Sequence, residues 1–185
     1  MATPYSQFLK DNYKKEDLIG VEVGVFRGTN AVYLLEDLLI KKLYLIDNYK
    51  PYFDGPFKDG IPRYGQEVMD SYYADTLRVT EPYFDKTRII VQESVWAANQ
   101  FPDEYFDFVY IDAGHTYAET MSDMNAWWPK TKKNGLFGGH DYGTVNGGEV
   151  KRAVDDFIKE KVIPVIDPSI GMRVGEAMEW AFFKN

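Results

Sequence analysis

The chain has 185 residues, 45% of them apolar, 27% charged and 16% aromatic, with 29 acids against 21 bases and a net charge of −8. That length can bury one substantial core, and the composition is that of a globular chain rather than a disordered one. The negative charge, with no Lys/Arg-rich block to override it, excludes a nucleic-acid partner held through its phosphates, and zero cysteines exclude disulfides, thiolate nucleophiles and cysteine-type zinc sites.

In chain order, Pro4 to Tyr13 reads as a short helix within an amino-terminal extension over 1–17, followed by a strand at Leu18–Phe26. A helix at Asn30–Leu39 carries Val32, Leu35 and Leu39 on one face. A strand at Lys42–Asp47 then leads into Asn48 to Gly65, which is rich in Pro, Gly and aromatics, Tyr52 among them. An irregular segment of that length following a strand end reads either as a lid over a site or as a connector packed on the sheet edge. Next come a helix at Gln66–Tyr83 (Met69, Tyr73, Leu77), strands at Thr87–Gln92 and Phe106–Asp112, and a helix at Ala118–Trp128. Met121, Met124 and Trp128 form the apolar stripe of that helix, which leaves Asp123 off it as a solvated or capping acid. A strand at Gly135–His140, a helix at Glu149–Lys159 (Val150, Val154, Phe157) and strands at Val162–Ile166 and Glu179–Phe183 complete the pattern. Short β-rich runs alternating with helical periods predict one α/β domain over 1–185, with a mostly parallel sheet and helices on both faces.

In such a sheet ligands bind at the carboxyl ends of the strands. Both histidines of the chain fall there, each near an aspartate: Asp112-Ala113-Gly114-His115-Thr116-Tyr117 after one strand and Gly139-His140-Asp141-Tyr142 after the next. Two acid–imidazole pairs at one rim predict a small-molecule enzyme. Gly24-Val25-Phe26-Arg27-Gly28 is a strand-to-helix turn where backbone can approach a ligand, although its spacing is not the dinucleotide fingerprint. Glu22, near the end of an apolar strand, needs a partner, and a cationic ligand group would suit it. Asp47 reads either as a ribose ligand or as a turn cap with Asn48. Ser94, after Glu93, reads as a helix cap that can also face a ligand.

Glu22-x-Gly24-x-x-x-Gly28, Asp47, Ser94 and Asp112 resemble the successive motifs of class I S-adenosylmethionine-dependent methyltransferases. The run Ile111 to Tyr117, then Asp123, Trp127 or Trp128, Pro129, Gly135 and Gly139 to Tyr142, is similar to small O-methyltransferases of the macrocin O-methyltransferase-like group. The resemblance spans Ile19 to Tyr142. It implies a Rossmann-like methyltransferase fold of seven strands with the last antiparallel, S-adenosylmethionine as cofactor, and methyl transfer to a hydroxyl of a small molecule or carbohydrate. Gly24 and Gly28 would line the methionine part, Glu22 lie near its amino group or be held by the turn, Asp47 bind the ribose, and Glu93 and Ser94 lie near adenine, with Asp112 closing the site. An acid like Asp112 and one like Asp141 hold Mg²⁺ or another divalent cation in metal-dependent relatives. Related sequences often carry a second acid where this chain has Gly114, which leaves His115 as first choice of base, with His140 and Asp112 as further catalytic groups.

Tyr117, Tyr142 and Tyr52 are the expected acceptor contacts. Positioning alone can supply roughly 7–11 kcal/mol of barrier lowering, and a placed base about 10²–10⁴-fold. The rivals are an NAD-linked oxidoreductase, disfavoured by the glycine spacing and by the lack of a Tyr-x-x-x-Lys pair, and a cofactor-binding but inactive partner subunit. A polar amino terminus and the lack of any membrane-length apolar run predict a cytoplasmic protein with no membrane partner. A homo-oligomer is compatible with everything above.

Overall fold

The computed structural model describes residues 3–51, 65–143, 145–165, 167–172 and 178–185. Its strands are Leu18–Val23 (β1), Ile40–Asp47 (β2), Thr87–Val91 (β3), Phe106–Ile111 (β4), Thr131–Gly139 (β5), Ser169–Met172 (β6) and Met178–Phe183 (β7), in one sheet of order β3-β2-β1-β4-β5-β7-β6. Strands β1 to β5 pair in parallel, and β7 runs antiparallel to both β5 and β6. The helices are Pro4–Asn12 (α1), Thr29–Asp37 (α2), Gln66–Thr80 (α3), Ser94–Ala98 (α4), Tyr117–Trp127 (α5) and Glu149–Glu160 (α6). The expected Rossmann-like methyltransferase fold, with its antiparallel last strand, is the one observed.

Strand alternation sends side chains to two apolar layers. Val109 and Ile111 of β4 join Trp127, Phe137 and Phe157 on one face, while Phe108 and Tyr110 join Leu34, Leu43 and Leu136 on the other. Order reversal between β1 and β4 opens a crevice at the carboxyl ends of these strands. No helix among the described residues is long and apolar enough to cross a membrane.

Several elements depart from expectation. Strand β1 ends at Val23 rather than Phe26, and α3 ends at Thr80 rather than Tyr83. Strand β5 begins at Thr131 rather than Gly135. Val162–Ile166 is not a strand where it is described. Val162 has φ 54 and is exposed, and the Ile163 amide donates back to the Ile158 carbonyl at 3.0 Å. The β-branched run thus closes the end of α6. Pro164 has no N–H to give a ladder, and the sixth strand forms later, at Ser169. In α5 the buried side chains are Thr120, Asp123, Met124 and Trp127. Its inner face is therefore rotated from the expected stripe, and Asp123 is buried rather than solvated.

Candidate active site

Gly24 leaves β1 with φ +85, and a Cβ there would lie 1.9 Å from the Asp112 carbonyl oxygen. Only glycine lets the first turn press against the end of β4 in this way. Gly28, with φ +77, opens α2. Beneath the turn, Glu22 is buried, and its Oε1 accepts from Asn30 Nδ2 at 2.9 Å. Asp47, at the end of β2, braces the same turn from the side. Its Oδ2 accepts from the amides of Val25 and Phe26, each at 2.9 Å, and its Oδ1 from the Tyr49 amide at 2.8 Å.

Along the next strand end, Glu93 accepts from Lys50 Nζ at 3.0 Å and Asn48 Nδ2 at 3.2 Å, which hold its carboxyl below the usual range despite partial burial. Ser94 opens α4 without making a side-chain cap, contrary to the capping expectation. Its Oγ instead accepts from Trp127 Nε1 at 2.9 Å and is a hydrogen-bond partner of Asp123. These groups wall a cleft of about 350 Å³, lined among others by Gly24, Asp47, Glu93, Ser94, Ala113 and Asp123. The sequence reading missed Asp123 as a wall residue. Its signal was the spacing of Asp123 from Thr120 and Trp127, three and four positions away on one helical face.

Beyond Ala113 and Gly114 lies a second, small pocket, which includes Asp112, His115 and His140. A capping box follows His115: Thr116 Oγ1 accepts from the Glu119 amide at 3.2 Å, and Glu119 Oε2 accepts from the Thr116 amide at 3.2 Å. A Cβ at Gly114 would lie 2.5 Å from Glu119 Cβ, so Glu119 fills the space that a second acid at position 114 would need.

Nε2 of His115 sits 2.7 Å from Asp141 Oδ2 and 3.5 Å from Asp112 Oδ1. Burial works to lower its pKa, but hydrogen bonds and charge from both carboxylates outweigh that and push it up to about 10. Asp141 is buried, which works against its charge, yet the two histidines hold its carboxyl well below the usual range. It adopts φ 62, a backbone conformation that Asp tolerates better than most residues and that is often found at functional sites. Nδ1 of His140 lies 3.2 Å from Asp141 Oδ1, and its buried Nε2 has no hydrogen-bond partner among the described residues. Trp180 Nε1 donates to the His140 carbonyl at 3.1 Å and fixes the strand end.

Ligand atoms of Asp112, His115 and Asp141 all lie within 4.8 Å of one another. Two carboxylates and an imidazole so placed form a donor set suited to a divalent cation. Tyr117 and Tyr142 stand beside this pocket but direct their hydroxyls to α6, donating to Asp156 Oδ2 at 3.3 Å and Asp155 Oδ1 at 2.7 Å. Tyr52 lies outside the described residues.

Comparison with known proteins agrees with this fold. No curated protein matches the sequence. Among solved structures, a Streptococcus mutans protein in complex with SAH aligns with a TM-score of 0.69 at 15% identity, covering 100% of this chain and 99% of that one. The O-methyltransferase NovP aligns at 0.61 and 18%, covering 95% and 75%. Spermidine synthase from Thermotoga maritima aligns at 0.62 and 16%, covering 97% of this chain, which spans only 58% of that one. A family described as a methyltransferase domain matches residues 21–142, from the glycine turn to the acid–histidine rim. The chain belongs to that methyltransferase family.

Proposed function

We propose that the protein transfers a methyl group from S-adenosylmethionine to a hydroxyl of a small molecule or carbohydrate, with a divalent cation at the acid–histidine pocket. The observation that carries this reading is a shared wall: Ala113 and Gly114 line both the cleft and the pocket holding His115 and His140. One turn of backbone thus separates a place for a donor from a place for proton chemistry.

The cleft has a volume usual for cofactor sites. Gly24 and Gly28 would line the methionine part, with Glu22 beneath the turn. Asp47 keeps acceptor capacity for ribose hydroxyls, since a carboxylate offers about four lone-pair sites and three amides use it here. Glu93 and Ser94 would flank adenine. When bound, the cofactor supplies an electrophilic methyl group. A divalent cation on Asp112, His115 and Asp141 would acidify an acceptor hydroxyl.

The chain's own groups divide the remaining work. Asp141 orients His140 through Nδ1, so that Nε2 is the atom positioned to take a proton, an arrangement familiar from acid–histidine pairs. His115 carries a proton of its own at neutral pH and must lose it before acting as base or ligand. Tyr117 and Tyr142 would stiffen the rim and offer ring faces to the acceptor, with Tyr52 contributing from the segment after β2.

The test is a thermal-shift titration with S-adenosylhomocysteine beside NADH. At 100 times its dissociation constant a ligand adds about 2.7 kcal/mol of stability. Stabilisation by S-adenosylhomocysteine alone supports the reading, and stabilisation by NADH alone overturns it. Labelled donor with hydroxyl and amine acceptors, with and without EDTA, then decides the acceptor atom and the ion.

A further inference from the structure

The geometry points to the free edge of β3 as an interface on which a second copy of this chain docks, antiparallel across a two-fold axis.

The sheet ends in β3 on one side and in β6 on the other. The β6 edge is guarded: it is short, follows Pro168 and carries Gly171, features that discourage an added strand. The β3 edge has no proline, glycine or bulge and pairs with β2 in unbroken register. On its inner side the Leu43 amide donates to the Lys86 carbonyl at 2.8 Å, and the Gln92 amide to the Asp47 carbonyl at 3.1 Å. Backbone groups alternate in direction along a strand, so Lys86, Arg88, Ile90 and Gln92 address β2. Thr87, Ile89 and Val91 turn both N–H and C=O outward. Among the described residues no strand takes these groups up.

Apolar surface gathers at the same edge. Of the eight exposed large apolar side chains among the described residues, five fall in the stretch that leads into, forms and leaves β3: Leu77, Phe84, Val91, Val95 and Trp96. Val91 is 50% exposed and Trp96 67%. Apolar surface beside unpaired strand backbone marks a site of association.

Charge selects the occupant. The strand is entered through Lys86 and Arg88 and left through Glu93. A parallel mate of the same sequence would set like charges side by side. An antiparallel mate sets the basic start of each strand against the acidic end of the other, twice over. With Ile90 opposite its own copy, Arg88 meets Gln92, Thr87 meets Glu93 and Ile89 meets Val91. The two Ile89–Val91 pairs then exchange about four backbone hydrogen bonds. A two-fold axis normal to the sheet also keeps Ile89 and Ile90 in the opposite apolar layers they already join. Gln92 and Glu93 line the cleft, so Arg88 of each copy comes to the rim of the other's cleft.

Light scattering and oxidative crosslinking of the full chain test this. The wild type is expected at twice the chain mass at about 100 μM and to dissociate on dilution, as interfaces of modest area do. Val91→Lys places at the edge the residue that natural edge strands use as a guard, and it should be monomeric at the same concentration with unchanged circular dichroism. Ile89→Pro is the second variant. It removes an outward N–H that β2 does not use, and it should have the same effect. The chain has no cysteine, so Ile90→Cys reports the register. Directly opposed positions of this kind have Cα atoms about 4.5 Å apart, within disulfide reach. Mild oxidation should link Ile90→Cys into a dimer in high yield, whereas Val162→Cys, exposed at the end of α6, should give only traces. A monomeric wild type overturns the assignment and leaves the edge to a different partner. A dimer that survives both Val91→Lys and Ile89→Pro, or in which Ile90→Cys links no better than Val162→Cys, places association on another face and overturns it as well.

Discussion

Nε2 of His115 lies 2.7 Å from Asp141 Oδ2, and through that contact the turn after β4 is tied to the end of β5. Asp112 approaches the same nitrogen at 3.5 Å, so two carboxylates from neighbouring strands share one imidazole. Without a positive group between them they would repel in a partly dry pocket.

This arrangement sets a pH dependence. The folded pKa of His115, about 10, is above the ordinary 6.5, so its stabilisation is full below about 6.5 and is lost as pH rises through about 10. Asp141 is the other half of the pair, held below its ordinary 3.8, so the same stabilisation also fades in strong acid. His115→Gln should cost about 3 kcal/mol in urea unfolding at pH 6, where removal of one partner strands the other. At pH 10.5 the difference from wild type should shrink. An equal difference at both pH values would show that the imidazole is not held as a cation.

A divalent cation on Asp112, His115 and Asp141 must displace the His115 proton. Its apparent affinity should therefore rise by about tenfold per pH unit below the folded pKa of the imidazole. Mn²⁺ binding followed by electron paramagnetic resonance at pH 7 and pH 8 checks this, with Asp112→Asn and Asp141→Asn expected to abolish binding. A pH-independent affinity would remove His115 from the ligand set.

The strand-to-helix glycine turn and the acid–histidine rim were legible in the sequence because both depend on local order at strand ends. The inner face of α5 was not. Apolar matching selects Met121, Met124 and Trp128, whereas the buried set is Thr120, Asp123, Met124 and Trp127; Asp123 is there because it walls the cleft, and Thr120 because its hydroxyl bonds the Gly114 and Thr116 carbonyls. Val162 and Ile163 have strand-like side chains but close a helix, since Pro164 and the end of α6 outweigh β propensity. The hydroxyl partners of Tyr117 and Tyr142 lie on α6, at Asp156 and Asp155, and such tertiary pairings leave no mark in local sequence.

The glycine turn gives a contrast between two alanine substitutions. Gly24→Ala must relieve a contact with the Asp112 carbonyl in a left-handed conformation. It should cost about 2 kcal/mol or more and weaken S-adenosylhomocysteine binding. Gly65→Ala has φ −67 and, among the described residues, nothing within 4 Å of the added Cβ; the entropy it gains and the poorer N-cap it makes oppose each other, so its stability should change by less than about 1 kcal/mol. Equal melting temperatures for the two variants would contradict the close approach of β1 to β4.

At the opposite end of β4, Asp107 is fully buried and ties four pieces of chain together. Its Oδ1 accepts from Lys15 Nζ at 2.5 Å, Lys132 Nζ at 3.0 Å and Tyr13 Oη at 3.0 Å, and its Oδ2 from the Ile19 amide at 2.9 Å. Burial works to raise its pKa, but these donors win and lower it from the ordinary 3.8. The stabilisation is thus present above about pH 4 and is lost as pH falls through the folded value. Both lysines keep substantial exposure, so Asp107→Asn should cost about 2 kcal/mol, between the values for surface and buried pairs. The deficit should appear at pH 7 and narrow in acid, where the wild-type carboxylate is also neutralised. Because the knot lies at the amino end of the strand and the cleft at the carboxyl end, the folded variant should bind S-adenosylhomocysteine as the wild type does. A loss of affinity greater than about threefold at full folding would mean that the two ends of β4 are mechanically coupled, since mutations at independent sites add to within about 0.5 kcal/mol.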